Sequence, residues 1–242
     1  MKENAHIFYV PEARNAAVGQ QVYLDEDESA HCYKVLRLRP GEMISVIDGC
    51  GHFYEAELTL CDRKNCAAII TDIDTDVYIR PYRNHVAIAP TKNIDRFEWF
   101  VEKAVEFGID EITPLLCAHS ERKVLKTDRI QKIAVSAVKQ SGNVIMPIVN
   151  ELTTYNDFMK SCAAPCKMIA HCEPQEKKFF ADNVAAGQNC CTLIGPEGDF
   201  SDEEIAMALA NGFLPTSLGN TRLRTETAGV AVCAFLALIN GK

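Results

Sequence analysis

Long apolar runs, C-x-x-C pairs and an export signal are all missing from this chain of 242 residues. No stretch comes near the roughly eighteen uncharged apolar residues that a membrane-spanning helix needs. The first residues, MKENAHIFYVPEARN, have no apolar core followed by a small-residue cleavage site, so they do not resemble a signal peptide. We therefore expect a cytoplasmic protein with no membrane segment.

The eleven cysteines form no recognisable disulfide or metal-binding framework. Their number is odd, and Cys162 and Cys166, with His171 and Cys172 downstream, are the nearest approach to a ligand cluster. Tetrahedral zinc sites usually come from two closely spaced ligand pairs, which this spacing does not supply. The sequence therefore predicts reduced thiols and no metal ion.

Basic side chains are outnumbered, but they are grouped. Lys and Arg total 25 against 33 for Asp and Glu, a formal net charge of −8, which taken alone disfavours binding to RNA phosphates. The distribution matters more than the sum. Acidic residues concentrate at 25–28 and 72–76, and basic residues concentrate at Lys34, Arg37 and Arg39 and again at Arg122, Lys123, Lys126, Arg129 and Lys132. This separation is compatible with one basic face, and also with ordinary solvated surfaces.

Residues 1–74 are predicted to form a small β-rich domain. Short alternating segments bounded by turn dipeptides such as Pro40-Gly41 and Asp48-Gly49 are typical of strands in a small barrel. The predicted elements are strands at Gln21–Leu24, Met43–Asp48, Phe53–Leu60 and Ala67–Ile73, and one helix at Asp27–Val35. The acidic run ending at Asp76 marks a linker.

Residues 75–242 alternate between strands and helices, which predicts an α/β domain with a mostly parallel sheet. The predicted strands are His85–Ala89, Glu111–Leu116, Lys167–His171, Cys190–Ile194 and Phe213–Leu218. Helices are predicted to begin near Asp95, Thr127, Ser201 and Thr227, and Asp95 with Glu98 and Ser201 with Glu204 have capping-box spacing. The last helix is apolar nearly all round, so we expect burial on most sides, in its own domain or against a partner.

Two glycine-containing segments follow predicted strands and run into helices. The first is Leu193–Gly198 and the second is Ser217–Ala228. Glycine at such a junction lets the backbone approach a ligand closely. Each segment alone is equally compatible with a tight strand–helix turn or a capped helix, and neither matches a dinucleotide or P-loop fingerprint.

Taken with three other segments, these two resemble the SPOUT superfamily of methyltransferases. They are similar in particular to the RsmE-like family, which methylates N3 of a uridine in small-subunit (16S) ribosomal RNA. The five segments, in family order, are His31–Glu42, Lys92 with Glu102–Gly108, Lys139–Gly142 with Pro147, Gly195–Gly198, and Leu218–Ala228. Three positions depart from the family pattern, because Asp199 replaces a usual glycine, Asn143 a common arginine and Lys139 a usual glutamate.

The resemblance implies a PUA-like, RNA-binding β-barrel followed by a SPOUT α/β domain with a C-terminal trefoil knot, assembled as a homodimer. The knot loops of such enzymes bind S-adenosyl-L-methionine without a metal ion. Transferred to this chain, the implied donor-binding residues are His171, Leu193, Ile194, Gly195, Pro196, Glu197, Gly198, Ser217, Leu218, Gly219, Leu223, Arg224, Thr225, Thr227 and Ala228.

The same resemblance suggests roles in the chemistry. Arg224 could stabilise negative charge on a uracil carbonyl oxygen. Glu226 or Glu197 could accept the N3 proton or orient Arg224, and His171 is a further candidate acceptor. The RNA-binding candidates are His31, Lys34, Arg37, Arg39, Arg122 and Lys123. Two alternatives stay open: a related SPOUT enzyme acting on another rRNA or tRNA position, and a non-catalytic RNA-binding assembly factor.

Overall fold

The computed structural model describes residues 6–74 and 80–241. The chain divides into two compact units, one formed by residues 1–79 with 138–146 and the other by residues 80–137 with 147–242. The inclusion of residues 138–146 in the first unit was not predicted. The predicted linker around Asp76 lies outside the described residues, and the domain boundary after residue 74 stays a prediction.

The first unit contains a five-stranded sheet and short helical segments. The strands, in the order in which they lie in the sheet, are β1 (Ile7–Tyr9), β3 (Met43–Ile47), β4 (Phe53–Cys61), β5 (Cys66–Asp74) and β2 (Gln21–Leu24). All of these pairs are antiparallel except β1 with β3. Along β4, Tyr54, Ala56 and Leu58 point into the core, as the two-residue period of a strand requires. The four strands predicted here are confirmed.

A helical segment follows β2 and presents basic side chains to solvent. Helix α1 (Glu26–Ala30) is capped by Asp25, whose Oδ1 accepts from the Glu28 backbone N at 2.7 Å. It continues as a wider helical turn over His31–Leu36, in which Cys32 is buried. Arg37 ends the turn in the left-handed conformation, with φ +57°. The predicted helix is therefore confirmed as two helical pieces.

Residues 138–146 are held in this unit by specific bonds. Lys139 Nζ lies 2.6 Å from Oε1 of the buried Glu28, and the backbone N of Met146 donates to the Gly49 carbonyl. A buried carboxylate needs a partner, and Lys139 supplies it. This ion pair gives a structural reason for lysine at a position where glutamate is usual.

The second unit contains an eight-stranded sheet in which every recorded strand pair is parallel. Its strands are β6 (Asn84–Ile88), β7 (Glu111–Leu116), β8 (Ile148–Val149), β9 (Thr153–Thr154), β10 (Cys166–Ala170), β11 (Lys178–Phe179), β12 (Cys190–Ile194) and β13 (Leu214–Ser217). The order is β11-β13-β10-β12-β6-β7-β8, with β9 beside β7. The predicted parallel sheet is confirmed.

Helices cover both faces of this sheet. They are α2 (Ile94–Glu106), α3 (Thr127–Ser141), which continues into the first unit, α4 (Tyr155–Ser161), α5 (Asp202–Ala210) and α6 (Thr225–Ile239). Phe158 of α4 and Ile205 of α5 pack with Leu193 on one face. On the other, α6 lies against α2 so closely that a Cβ on Gly229 would be 2.6 Å from the Phe100 ring. Glycine is required at that crossing.

Near its C-terminal end the chain crosses back over the sheet, from β13 to the middle strands. Strand β13 lies outside β10, near the edge of the sheet, yet α6 returns to pack on β6 and β12. On the way it contacts the connection between β10 and β12, where the Phe235 ring lies 5.8 Å from that of Phe180. The resemblance to SPOUT enzymes implies a crossing of this kind, and strand and helix patterns alone do not predict it.

Capping boxes were predicted at the first residues of two helices, α2 and α5. The capping box of Ser201 and Glu204 is present and begins α5. The box predicted at Asp95 is wrong: the N-cap of α2 is Asn93, whose side-chain oxygen accepts from the Asp95 backbone N. Asn is as good an N-cap as Ser or Asp, so the spacing of Asp95 and Glu98 was not informative.

Candidate active site

A cavity of about 650 Å³ lies at the carboxyl ends of β10, β12 and β13. Ligands of parallel α/β sheets characteristically bind at this edge, where loops leave the strands. The lining residues are Arg96, Ala170, His171, Cys172, Lys177, Ile194, Gly195, Pro196, Glu197, Asp199, Thr216, Ser217, Leu218, Gly219, Asn220, Thr221, Arg222, Leu223, Arg224, Thr225 and Ala228.

The loop after β12 forms one wall. Gly195 and Pro196 are buried, whereas Glu197 is exposed and its Oε1 accepts from the Lys92 backbone N at 2.9 Å. A Cβ on Gly195 would lie 3.1 Å from the Phe200 ring, so a side chain there would press on the core. The Thr225 hydroxyl donates to the Gly195 carbonyl at 3.1 Å, which ties this loop to the start of α6.

The loop after β13 forms the opposite wall. Gly219 has φ +140°, a conformation that L-residues rarely adopt, and no atom lies within 4 Å of the position of a Cβ there. The Ser217 hydroxyl donates to the Gly219 carbonyl at 3.1 Å. Gly219 is exposed and lines the cavity, so it presents backbone there without a side chain.

Two charged residues at the start of α6, Arg224 and Glu226, have different environments. Glu226 is buried and its Oε1 lies 3.9 Å from Nε of Arg96, a residue of α2. Its other oxygen has no hydrogen-bond partner in the part of the chain that the structure describes. No ion pair joins Glu226 to Arg224 among those residues, so the proposed orientation of Arg224 by Glu226 stays a prediction. Arg224 is exposed at the cavity, as the N-cap residue of α6.

His171 stands at the end of β10 and is buried. Burial, with a smaller effect of Lys177, lowers the pKa of its imidazole below the ordinary value, although Asp199 opposes the shift. The Gln175 amide nitrogen lies 2.7 Å from Nε2 and can only donate, so neutral His171 has its proton on Nδ1. That buried Nδ1 has no partner within the described chain, which leaves a donor for a ligand.

Asp199 replaces the usual glycine and keeps the backbone shape that glycine would adopt. Its φ is +64°, and its carboxylate accepts from the backbone N of Cys172 at 2.7 Å and of Phe200 at 2.9 Å. These bonds join the loop after β12 to the end of β10. The carboxylate therefore compensates for a conformation that is unfavourable for most L-residues.

We expect Asp199→Ala to be less stable than Asp199→Gly by about 1 kcal/mol, because both lose the carboxylate bonds and only alanine keeps the left-handed strain. Urea denaturation of the two variants measures the difference. Equal stability would mean that the backbone at this position relaxes freely and that the strain argument is incorrect.

Most of the predicted donor-binding residues line the cavity, and three do not. Leu193 points into the core on the opposite face of β12, Gly198 packs against His119, and Thr227 is exposed on α6. Arg96 and Lys177 line the cavity and were not predicted. Arg96 lies between Lys92 and Glu102, the two parts of one family motif, and the packing of α2 on α6 brings it to the cavity.

The predicted RNA-binding residues have different environments. His31, Lys34, Arg37 and Arg39 are exposed on one segment of the first unit. Arg122, in the second unit, is engaged locally, since its guanidinium donates to the carbonyls of Thr91 at 3.0 Å and Lys92 at 2.7 Å. These bonds hold the loop after β6, and the assignment of Arg122 to RNA binding stays a prediction. Lys123 beside it is exposed.

Known proteins resemble this chain along most of its length. The family model described as an RNA methyltransferase domain matches residues 79–237, and the one described as an RNA methyltransferase PUA domain matches residues 24–71. The ribosomal RNA small subunit methyltransferase E of Synechocystis sp. is 31% identical over 85% of this chain and 69% of its own. The protein of that name from Aquifex aeolicus is 25% identical over 96% of this chain and 98% of its own.

Solved structures agree with this relationship. The crystal structure of a ribosomal RNA small subunit methyltransferase E from Neisseria gonorrhoeae, bound to S-adenosyl methionine, matches with a TM-score of 0.84 and 31% identity over 96% of both chains. The predicted fold, a SPOUT α/β domain preceded by a PUA-like unit, is thereby confirmed. With a family model that covers well over half of its residues, this chain belongs to the RNA methyltransferase family whose members combine that domain with an N-terminal PUA domain.

Proposed function

We propose that this protein transfers a methyl group from S-adenosyl-L-methionine to N3 of a uridine in small-subunit ribosomal RNA, in the cytoplasm. The observation that supports this most directly is the cavity formed by the two glycine loops, with an exposed arginine at the start of α6. The names and the bound donor of the relatives support the same assignment. Across the described residues, no helix is both long and apolar enough to span a membrane.

The cavity fits the methyl donor. Its volume lies within the range of about 300–1,000 Å³ that is typical of small-molecule sites. Leu218, Leu223 and Ala228 provide apolar walls, and Gly219 presents backbone to the cavity without a side chain. The unpartnered Nδ1–H of His171 can donate to an acceptor on the ligand. When bound, the donor supplies an electrophilic methyl group on a sulfonium.

The chain's own residues must make the uracil nitrogen nucleophilic. N3 carries an imide proton, and its loss spreads negative charge onto the neighbouring carbonyl oxygens. Arg224, exposed at the cavity, can donate to one of these oxygens, since a guanidinium keeps its proton. It therefore stabilises the anion and cannot itself act as the base.

Glu197 is the better placed of the two candidate bases. It lines the cavity, and the bond from the Lys92 backbone engages its Oε1 and leaves Oε2 for a substrate proton. Glu226 is buried next to Arg96 and does not line the cavity, so it serves to position that arginine. Neutral His171 donates through Nδ1 and is assigned to binding, with no role as the proton acceptor.

The exposed segment around Arg37 and Arg39 is proposed to bind RNA phosphates. Arg37→Asn combined with Arg39→Ala should weaken RNA binding and reduce the slope of log affinity against log salt by about 1.4, since each phosphate contact contributes about 0.7 on single strands. Asparagine is chosen because it tolerates the φ of +57° at position 37. Fluorescence anisotropy over a range of salt concentrations measures the slope.

The control for that variant is Arg14→Ala with Arg63→Ala, which removes the same charge from other exposed positions of the same unit. Its slope should stay close to that of the unchanged protein, and donor affinity should be unaffected in both. A similar loss in the two double variants would assign the effect to net charge, which contradicts a defined binding segment.

The outer face of α6 is proposed to bury itself in a homodimer. Its inner face is buried, while Ala231 and Ala234 are half-buried and Leu238 is 74% exposed. We expect Leu238→Glu to yield monomers in sedimentation velocity experiments, because a charge in an apolar interface is costly. Val124→Glu changes an equally exposed residue outside α6 and should stay dimeric. A dimeric Leu238→Glu variant would contradict this interface.

The proposed function is tested by two measurements. Calorimetric titration with S-adenosyl-L-methionine should show a binding site in the purified protein. Mapping of modified bases in ribosomal RNA from a deletion strain should show one uridine of the small subunit that has lost its N3 methyl group. A lost methyl group in tRNA or large-subunit RNA would instead favour a related SPOUT activity, and donor binding without any lost methyl group would favour an assembly factor.

A further inference from the structure

Three cysteines of the first unit lie in mutual contact. Sγ of Cys61 is 3.6 Å from Sγ of Cys32 and 3.5 Å from Sγ of Cys66, and all three sulfurs lie within 4.8 Å of one another. Cys32 and Cys66 are buried, and Cys61 is half-buried. In the part of the chain that the structure describes, this is the only such grouping of three or more histidine, cysteine or acidic side chains.

The sulfurs are brought together by two elements whose geometry is well defined. Cys61 and Cys66 are register partners on β4 and β5, at the end of their hairpin. Cys32 lies on the helical turn that follows α1. The hydroxyl of Ser29, in α1, accepts from the Cys66 backbone N at 3.0 Å, which holds the helix that leads into this turn against the hairpin. The positions of the three thiols are therefore set by bonds that do not involve sulfur.

The spacing matches a thiolate-bound metal ion. A Zn–S bond of about 2.3 Å in tetrahedral geometry separates neighbouring sulfurs by about 3.8 Å. The two distances around Cys61 are within a few tenths of an ångström of that value. Three sulfurs also suit Cu(I), which soft thiolate ligands select.

We propose that Cys32, Cys61 and Cys66 form a three-thiolate site for a thiophilic cation, Zn(II) or Cu(I). On binding, each thiol releases its proton to solvent and forms one metal–sulfur bond, with no change in oxidation state. The half-buried Cys61 gives the ion access from solvent, and a water or a solute can complete a tetrahedral zinc site. The ion would join the turn bearing His31 and Lys34 to the β4–β5 hairpin.

The site is tested by titrating the full-length protein, kept reduced, with Cd(II) as the spectroscopic substitute for Zn(II), and separately with Cu(I). One equivalent should produce a thiolate-to-metal charge-transfer band that is lost or much weakened in Cys61→Ser. Affinity should fall by at least about a hundredfold, since even losing a group that supports a ligand costs about 10–100-fold. Cys50→Ser, at an exposed cysteine of the same unit, should keep the band.

The chain has eleven cysteines, so other thiols can contribute to the charge-transfer band. The test therefore depends on the difference in band intensity between Cys61→Ser and Cys50→Ser. Circular dichroism of the metal-free proteins checks that Cys61→Ser and a second variant, Cys61→Ala, are folded. Zn(II) or Cu(I) should also raise the melting temperature of the unchanged protein and not that of either variant. The proposal would be overturned if the Cys61 variants bound metal as tightly as the unchanged protein, or if the unchanged protein bound none. It would also be overturned by a Cys61–Cys66 disulfide in a protein that binds no metal after reduction.

Discussion

Replacing Arg224 by lysine is expected to lower methyl-transfer turnover by about a hundredfold, the usual effect of removing one preorganised donor to a developing oxyanion. Lysine keeps the positive charge but loses the planar fork of the guanidinium. Arg224 is exposed at the cavity and makes no side-chain cap to α6, so the substitution should not disturb that helix. Affinity for S-adenosyl-L-methionine should stay within a few fold. Single-turnover kinetics and calorimetry measure the two quantities separately.

The pH dependence of this variant distinguishes catalysis from structure. Because a higher pH ionises the uracil imide without assistance, raising the pH should recover part of the lost rate. Arg83→Lys, which changes an exposed arginine just before the amino end of β6, serves as the matched control and should keep its turnover. Normal turnover in Arg224→Lys, or a loss explained entirely by weaker donor binding, would remove Arg224 from the chemistry.

Replacing Gly219 by valine should lower affinity for S-adenosyl-L-methionine by about a hundredfold. A β-branched residue at φ +140° is strained by about 1–3 kcal/mol, so the free loop should relax and binding would have to restore the strained shape. Each 1.4 kcal/mol corresponds to a tenfold change in affinity. Isothermal titration calorimetry measures the change.

Gly219 is a better test than Gly195. A side chain at Gly195 would press on the Phe200 ring at 3.1 Å, so that variant would mix effects on the core with effects on the ligand. The matched control is Gly212→Val, at a glycine with φ +82° and open space that lies after α5, outside the cavity lining. If both variants bound the donor as tightly as the unchanged protein, the loop after β13 would not be part of the donor site.

The positions of most strands and of one helix start were predicted from local sequence pattern. Alternating burial in β4 follows the two-residue repeat of side-chain direction along a strand. Strand β12 is buried along its whole length and also lies at the expected position. The capping box at Ser201 was correct for the same local reason. The two glycine loops were also visible in the sequence, since each follows a buried strand.

By itself, then, the sequence determined the two classes of domain, the loops that form the cavity and, through ordered motifs, the family. Tertiary structure alone decided which distant residues meet. The pairing of Glu226 with Arg96, the ion pair of Lys139 with Glu28 and the meeting of Cys32 with Cys61 and Cys66 each join separate segments. Such contacts depend on strand register and on which helix packs against which, and neither leaves a periodic signal in the chain.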